Sequence, residues 1–287
     1  MVTSDNIKRA QILLEAFPYI RQFSGKIMVI KYGGSLMVNE DLKPLFAQDI
    51  ALLKLIGLHP VIVHGGGKEI SKWMKKLGKE SVFIDGLRVT DSETLEITEM
   101  VLSGKVNSEV VSLLNHQGGK AVGLSGKDGS LFTAKRIKSK KHMDLGFVGD
   151  IDNVDTSLIH TLISQGYIPV ISSMGQSKDN ESLNMNADHV AECIATALSA
   201  SKLIYLTDVE GLMIEGTLQH SLSLTKATAL LSHSDVQSGM LPKLTCATNA
   251  IKNGVEQVHI LNGTIKHVVL LELFTDSGIG TMIKGGS

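Results

Sequence analysis

Short apolar runs that end on glycine recur along the chain and restrict its fold more than any other feature. Residues 26–32 (KIMVIKY) run into Gly33-Gly34, and residues 60–64 (PVIVH) into Gly65-Gly66-Gly67. The arrangement returns at 121–126 (AVGLSG) and 167–175 (YIPVISSMG), and the run at 202–211 (KLIYLTDVEG) closes the set. These runs are continuously apolar rather than alternating, as strands buried on both faces must be. Between them lie residues with helical spacing: Leu42, Leu45, Phe46, Ile50, Leu53 and Leu55; then Val101, Val106, Val110, Leu113 and Leu114; then Ala187, Val190, Ala191, Ile194, Ala195 and Leu198. Strand, glycine and helix in that rotation predict an α/β fold, a three-layer sandwich around a central, mainly parallel sheet. Ligands on such sheets collect at the carboxyl ends of the strands, where these glycine loops fall.

Composition narrows the class. The 287 residues carry 28 Lys plus Arg against 29 Asp plus Glu, a balance that argues against broad phosphate neutralisation, so no nucleic-acid partner is expected. With 43% apolar and 20% charged residues the chain is globular rather than disordered. No apolar run reaches the roughly 18 residues of a membrane span, and MVTSDNIKRAQ has no signal-peptide core. A cytoplasmic protein with no membrane partner is therefore expected. Cys193 and Cys246 stand far apart and outside metal-ligand spacing, which disfavours a disulfide framework or a Cys-based zinc site. No metal ligand is assigned.

The first 24 residues form a separate unit. Ile7, Ala10, Leu13, Leu14 and Phe17 fall near one face of a helix that Pro18 should kink or end. Such a helix either packs on its own domain or acts as an arm that docks on another subunit. With no obvious linker beyond it, the chain divides into an arm (1–24), an N-terminal lobe (25–175) and a C-terminal lobe (176–287), the break falling within SMGQSKDN at 173–180.

Two glycine loops paired with a lysine are the most informative motif. Lys31-Tyr32-Gly33-Gly34-Ser35 sets a cation at a strand end, ahead of exposed backbone N–H groups. His64-Gly65-Gly66-Gly67-Lys68 precedes a helical stretch from Glu69 to Leu77, so free N–H groups and a helix N-terminus together form an anion site. Neither loop is a GxxxxGK[ST] or a GxGxxG, and glycine at a strand end is common in any α/β sheet. The pair, one member carrying Lys, points to phosphate chemistry. Arg88, in DGLRVT, is either a surface arginine on a loop or a planar fork for a carboxylate. Asn184, Asn186 and Asp188 open the third helix and exceed what an N-cap needs. Gly239-Met240-Leu241-Pro242-Lys243 offers a second lysine in a turn before the helix of Thr245–Ile251. Phosphoryl transfer needs cations, backbone donors and a carboxylate to hold the cations in place. Lys31, Lys243, both loops and Asp188 supply those parts if the fold brings them together.

The motifs VIKYGGS, VHGGGKEI, DGLRVTD, GLSGKDG, LGFVGDI, YIPVI, NMNADHVA, LTDVEG, GMLPK and IKHVVLLELFTDSGIGTMI run in order from residue 29 to residue 283. In that order they resemble the N-acetyl-L-glutamate kinases, of the arginine-sensitive type, within the amino acid kinase family. The resemblance implies the amino acid kinase fold, with an acyl-amino-acid lobe that also dimerises and an ATP lobe. It implies phosphorylation of the γ-carboxylate of N-acetyl-L-glutamate by ATP, the second step of arginine biosynthesis. Lys31 and Lys243 match the family's phosphoryl-stabilising lysines, and Asp188 the aspartate that orients both. Gly66, Gly67, Arg88 and Asn184 match substrate contacts. Gly33, Gly34, Thr207, Asp208 and Gly211 fall on the nucleotide side, and Mg2+ would arrive with ATP. The acceptor carboxylate is already ionised at pH 7, so no catalytic base is expected, and none of the ten histidines is assigned to catalysis.

Regulation follows from the same resemblance. L-Arginine as inhibitor is placed against Tyr19, His267, Glu272 and Gly278; the alternative is that 270–274 is a last core strand with Glu272 facing water. The arm implies a homo-oligomer, a dimer or a hexamer built as a trimer of dimers, and a PII-type signalling protein is a candidate partner. Departures from the pattern are Ser35-Leu36 after the first loop, Ser238 before Gly239, and a shortened stretch after Gly211. The competing readings are a sister kinase acting on glutamate, aspartate, carbamate or UMP, a non-catalytic amino-acid sensor, and a dinucleotide-dependent oxidoreductase, which lacks its glycine fingerprint.

Overall fold

The computed structural model describes residues 4–139, 142–237, 239–275 and 278–285. Helix α1 (Ser4–Phe23) leads into β1 (Ile27–Tyr32), α2 (Leu42–Leu55), β2 (His59–His64) and α3 (Gly67–Lys76). A hairpin of β3 (Phe83–Ile84) and β4 (Leu87–Arg88) precedes a long helical rod: α4 (Ser92–Glu99), a π-helical segment (Met100–Val106) and α5 (Asn107–His116). Then come β5 (Ala121–Leu124), β6 (Phe132–Lys138), β7 (Asp144–Val154), α6 (Ser157–Ser164), β8 (Ile168–Ser172), β9 (Met174–Gln176) and β10 (Ser182–Asn184). The last third holds α7 (Ala187–Ala197), β11 (Lys202–Thr207), β12 (Met213–Ile214), β13 (Thr217–Leu218), β14 (Ser221–Ser223), α8 (Leu224–Leu230), α9 (Met240–Lys252), β15 (Gln257–Asn262), α10 (Val268–Phe274) and β16 (Thr281–Lys284).

One eight-stranded sheet runs through both expected lobes, in the order β14-β16-β15-β11-β1-β2-β8-β5. From β15 to β5 every neighbour is parallel; β16 is antiparallel to β15. Alternate residues of each central strand enter different cores. Val29, Val61, Leu203 and Ile260 face α6, α7 and α9. Ile30, Ile62, Ile204 and Leu261 face α2, α5 and α10. Both faces are covered, which is why those strands read as unbroken apolar runs and why the sandwich has three layers. Beside the sheet, β6, β7, β9 and β10 close a small ring of strands. Within it Gly146 (φ +70) brings its backbone against Thr90, and a Cβ there would lie 2.2 Å from the Thr90 carbonyl. That contact holds the hairpin of Arg88 against β7.

Several expectations change. The run at 202–211 does not close the strand set: β15 follows, its pattern broken in sequence by the buried, paired His259. Residues 268–274 are a helix rather than a last strand, with Val268, Val269 and Leu273 turned to the core. Glu272 therefore does not face water. Helix α1 continues through Pro18, which lies on an exposed position. Of its predicted apolar face, the side chains of Ile7, Ala10 and Leu13 lie outside the described residues; Leu14 and Phe17 are exposed at 71% and 60%. The far end docks: Phe23 is buried, and Tyr19 meets Phe274 edge-on at 6.1 Å. Ser238 also lies outside the described residues. No helix among the described residues is long and apolar enough to cross a membrane.

Candidate active site

The parallel strands end together at Tyr32, His64, Ser172, Thr207 and Asn262, and a cleft of about 390 Å³ opens above the first three. Lys31 stands at the end of β1 and Lys243 in the first turn of α9, inside the helix rather than before it. Asp188 sits in the first turn of α7, where Asn186 caps the helix by accepting from the Asp188 and His189 N–H groups. The two ammonium groups grip opposite oxygens of this one carboxylate. Lys31 Nζ is 3.0 Å from Oδ1, and Lys243 Nζ is 2.9 Å from Oδ2. Burial by itself would raise the Asp188 carboxyl, but the two lysine charges outweigh it and hold the group at about 2. The carboxylate is thus an anion at neutral pH that holds two cations together; Lys31 lines the cleft with it, and Lys243 does not.

The glycine loops lie beside this carboxylate and Lys31. Gly33, Gly34, Gly66 and Gly67 line the cleft with Lys31 and Asp188. Gly34 adopts φ +71, a conformation that favours glycine, and its backbone runs close to the Asp208 carboxylate. Asp208 also pairs with Lys68 at 3.4 Å, a bridge between the start of α3 and the end of β11. Lys68 lines the cleft and was passed over in sequence, although its place directly after three glycines was a usable signal. Thr207 ends β11 in register with Asn262. Gly211 packs against Thr281 Oγ1 and does not line this cleft.

Arg88 is no surface residue: it is 7% exposed and lines the cleft. Its Nη1 donates to Ser81 Oγ at 2.6 Å and approaches Met74 Sδ at 3.2 Å; Nη2 donates to Ser71 Oγ at 2.9 Å and the Gly67 carbonyl at 3.0 Å. A carboxylate at this guanidinium would compete with Ser71 and Ser81. Asn184 also lines the cleft, and its Nδ2 donates to Thr90 Oγ1 at 3.2 Å, which in turn donates to the Arg88 carbonyl at 2.8 Å. Arg88 and Asn184 are therefore one connected unit. His64 is fully buried beneath the second loop, with Nδ1 2.9 Å from the Gly65 carbonyl and Nε2 2.9 Å from Asn107 Nδ2. Burial pushes its imidazole down to about 4, so it stands neutral with the proton on Nδ1.

The four regulatory candidates surround α10. His267, at φ +58 ahead of the helix, has Nδ1 2.6 Å from Asp49 Oδ1. Glu272 is buried, accepting from the Ile279 N–H at 3.0 Å and contacting His259 Nδ1 at 2.8 Å. Gly278 is exposed beside Ile279, and Tyr19 reaches the same end of the helix through Phe274.

A sequence model described as the amino acid kinase family matches residues 26–262. The acetylglutamate kinase of Ruthia magnifica subsp. Calyptogena magnifica is 51% identical over 278 residues, covering 95% of this chain and 94% of that protein. The N-acetylglutamate synthase from Neisseria gonorrhoeae, complexed with coenzyme A and N-acetyl-glutamate, superposes with a TM-score of 0.87 at 31% identity over 97% of this chain. The same synthase complexed with coenzyme A and L-arginine gives 0.81 at 30% identity over 96%. This chain spans 64% and 65% of the synthase's length in the two structures.

Proposed function

The chain is an enzyme of the amino acid kinase family, and on that premise we propose that it transfers the γ-phosphoryl group of ATP to the γ-carboxylate of N-acetyl-L-glutamate. The observation that carries this reading is the Lys31–Asp188–Lys243 triad. In a loose transition state the charge spreads over the transferring oxygens, and catalysis is mostly positioning plus electrostatics. Lys31 comes from the sheet and Lys243 from α9, so the two cations approach the phosphoryl group from different elements. Asp188 fixes their separation without being consumed. Each lysine contributes roughly 3–4 kcal/mol to lowering the barrier, by analogy with a single oxyanion donor. The acceptor carboxylate is ionised at neutral pH and needs no base.

Substrate and nucleotide are assigned to opposite sides of the triad. Arg88 and Asn184, joined through Thr90, take the α-carboxylate end of the acceptor, and Gly66 and Gly67 give it backbone donors. Gly33, Gly34, Thr207, Asp208 and Gly211 belong to the nucleotide side, with residues 25–175 and 176–287 as the corresponding lobes. Mg2+ enters as part of the ATP substrate. The reaction fits the second step of arginine biosynthesis, in the cytoplasm.

We also infer that L-arginine inhibits the enzyme by binding at α10. Glu272 is a buried carboxylate within a short distance of His259, Tyr19 reaches the same helix end, and the synthase above is described in complex with L-arginine. The exposed Leu14 and Phe17 on α1 support an arm that docks on another copy of the chain, giving a hexamer of three dimers. A PII-type protein remains a candidate partner on the family resemblance alone. The deciding assay is ADP release with ATP-Mg and N-acetyl-L-glutamate or plain L-glutamate, with and without millimolar L-arginine. Activity on the acetylated substrate that falls with arginine supports both readings. Activity indifferent to arginine removes the regulatory one, and no ADP from the acetylated substrate removes the kinase reading.

A further inference from the structure

Directly behind the triad, α7 and α9 share a second cluster that phosphoryl transfer does not use. His189, Glu192 and Cys193 occupy positions i, i+3 and i+4 of α7, which places them on one helical face. Cys246 faces His189 and Glu192 from α9. One ligand atom from each of His189, Glu192 and Cys246 lies within 4.8 Å of the others. His189 Nδ1 is 3.0 Å from Glu192 Oε2, whereas Cys193 Sγ lies nearer the other ring nitrogen, 3.5 Å from Nε2 against 4.0 Å from Nδ1. On the far side of the ring, His189 Nε2 is 2.6 Å from Asp150 Oδ1 on β7.

We propose that His189, Glu192 and Cys246 form a binding site for one soft divalent cation of the Zn2+ class, with Asp150 orienting the histidine. The donor set is the first reason. One imidazole, one carboxylate and one thiolate, with water completing a tetrahedron, is a combination that suits zinc, whereas oxygen-seeking Mg2+ or Ca2+ gains nothing from sulfur. The second reason is Asp150. A metal-bound histidine commonly gives its other N–H to a carboxylate, which fixes tautomer and ring orientation, and Asp150 already stands there. Scale agrees as well. Zinc bonds of about 2.0–2.3 Å need ligand atoms roughly 3.3–3.8 Å apart, so side-chain shifts of roughly an ångström close the set. Cys246 is buried while His189 and Cys193 are partly exposed, so an ion has a way in from solvent. Because α7 carries Asp188 and α9 carries Lys243, an ion here would clasp the two helices that hold one side of the triad.

The test is titration of the full-length, metal-free, reduced protein with Co2+ as the spectroscopic stand-in for zinc, followed by Zn2+ competition against a chromogenic chelator. The expected result is one equivalent of Co2+ giving a thiolate charge-transfer band and intense tetrahedral visible bands, both displaced by one equivalent of Zn2+. Cys246→Ser and His189→Gln should lose the charge-transfer band or its tetrahedral signature, with the metal-free variants checked for unchanged melting temperature. Asp150→Asn, at a partly exposed position, should keep the spectrum and weaken zinc binding by about 10–100-fold. Absence of a thiolate band in the unsubstituted protein overturns the proposal, since cobalt on surface histidines would give none. So does a band that survives Cys246→Ser.

Discussion

At the residue scale, the decisive arrangement is two lysines on one buried carboxylate. Lys31→Ala, Asp188→Ala and Lys243→Ala should each lower kcat by about 10²–10³-fold with an unchanged far-ultraviolet spectrum. Steady-state kinetics checks this, and a loss under tenfold in any of the three removes that residue from the triad's work. Arg88→Ala should mainly raise KM for the acetylated substrate, by about 10–100-fold, as expected for losing a charged hydrogen-bonding partner. An unchanged KM would place Arg88 in a purely structural role holding Ser71, Ser81 and the Gly67 carbonyl. Lys31, Asp188 and Arg88 were legible as candidates because each sits beside a glycine loop or a helix start. That Arg88 is buried with both terminal nitrogens already engaged was not legible, since Ser71 and Ser81 belong to segments with no motif.

At the element scale, strands and helices were readable wherever one periodicity ran unbroken, and misread where a polar residue was buried inside them. Strand β15 was missed because His259 interrupts it, yet that histidine is paired with Glu272 and costs the core nothing unsatisfied. Helix α10 was open to a strand reading because it is only seven residues long. His64 illustrates the same physics in a testable form, joining the end of β2 to α5 through Asn107. In the folded chain it is depressed from 6.5 to about 4, so between those values the unfolded state binds the extra proton. The stability tied to its neutral form is therefore complete above pH 6.5 and lost as pH falls toward 4, on the order of 3 kcal/mol. Urea unfolding from pH 7.5 to 4 should show that slope in the unsubstituted protein and a flatter one in His64→Gln. Equal slopes would show that His64 does not carry it.

At the scale of the whole molecule, α1 is anchored at its far end through Phe23 and Tyr19, while Leu14 and Phe17 stand exposed. Deleting residues 1–22 should reduce the assembly to dimers in sedimentation and blunt arginine inhibition in the same preparation. A hexamer that survives the deletion would remove the arm from assembly, and Leu14→Asp with Phe17→Asp provides the same test without shortening the chain. The continuous sheet explains why the proposed lobes left no linker in the sequence: β11 and β1, on either side of the boundary, are hydrogen-bonded neighbours. By itself the sequence determined the layer architecture and the candidate loops, because periodicity and glycine placement are local signals that survive without coordinates. Only the tertiary structure decided which distant groups share a charge environment. It put Lys243 on the same carboxylate as Lys31, and it set Cys246 against His189 and Glu192 after sequence spacing had argued against a cysteine metal site. Both results depend on α9 packing beside α7, a contact made by buried apolar faces that say nothing, along the chain, about which polar residues they will bring within a few ångströms.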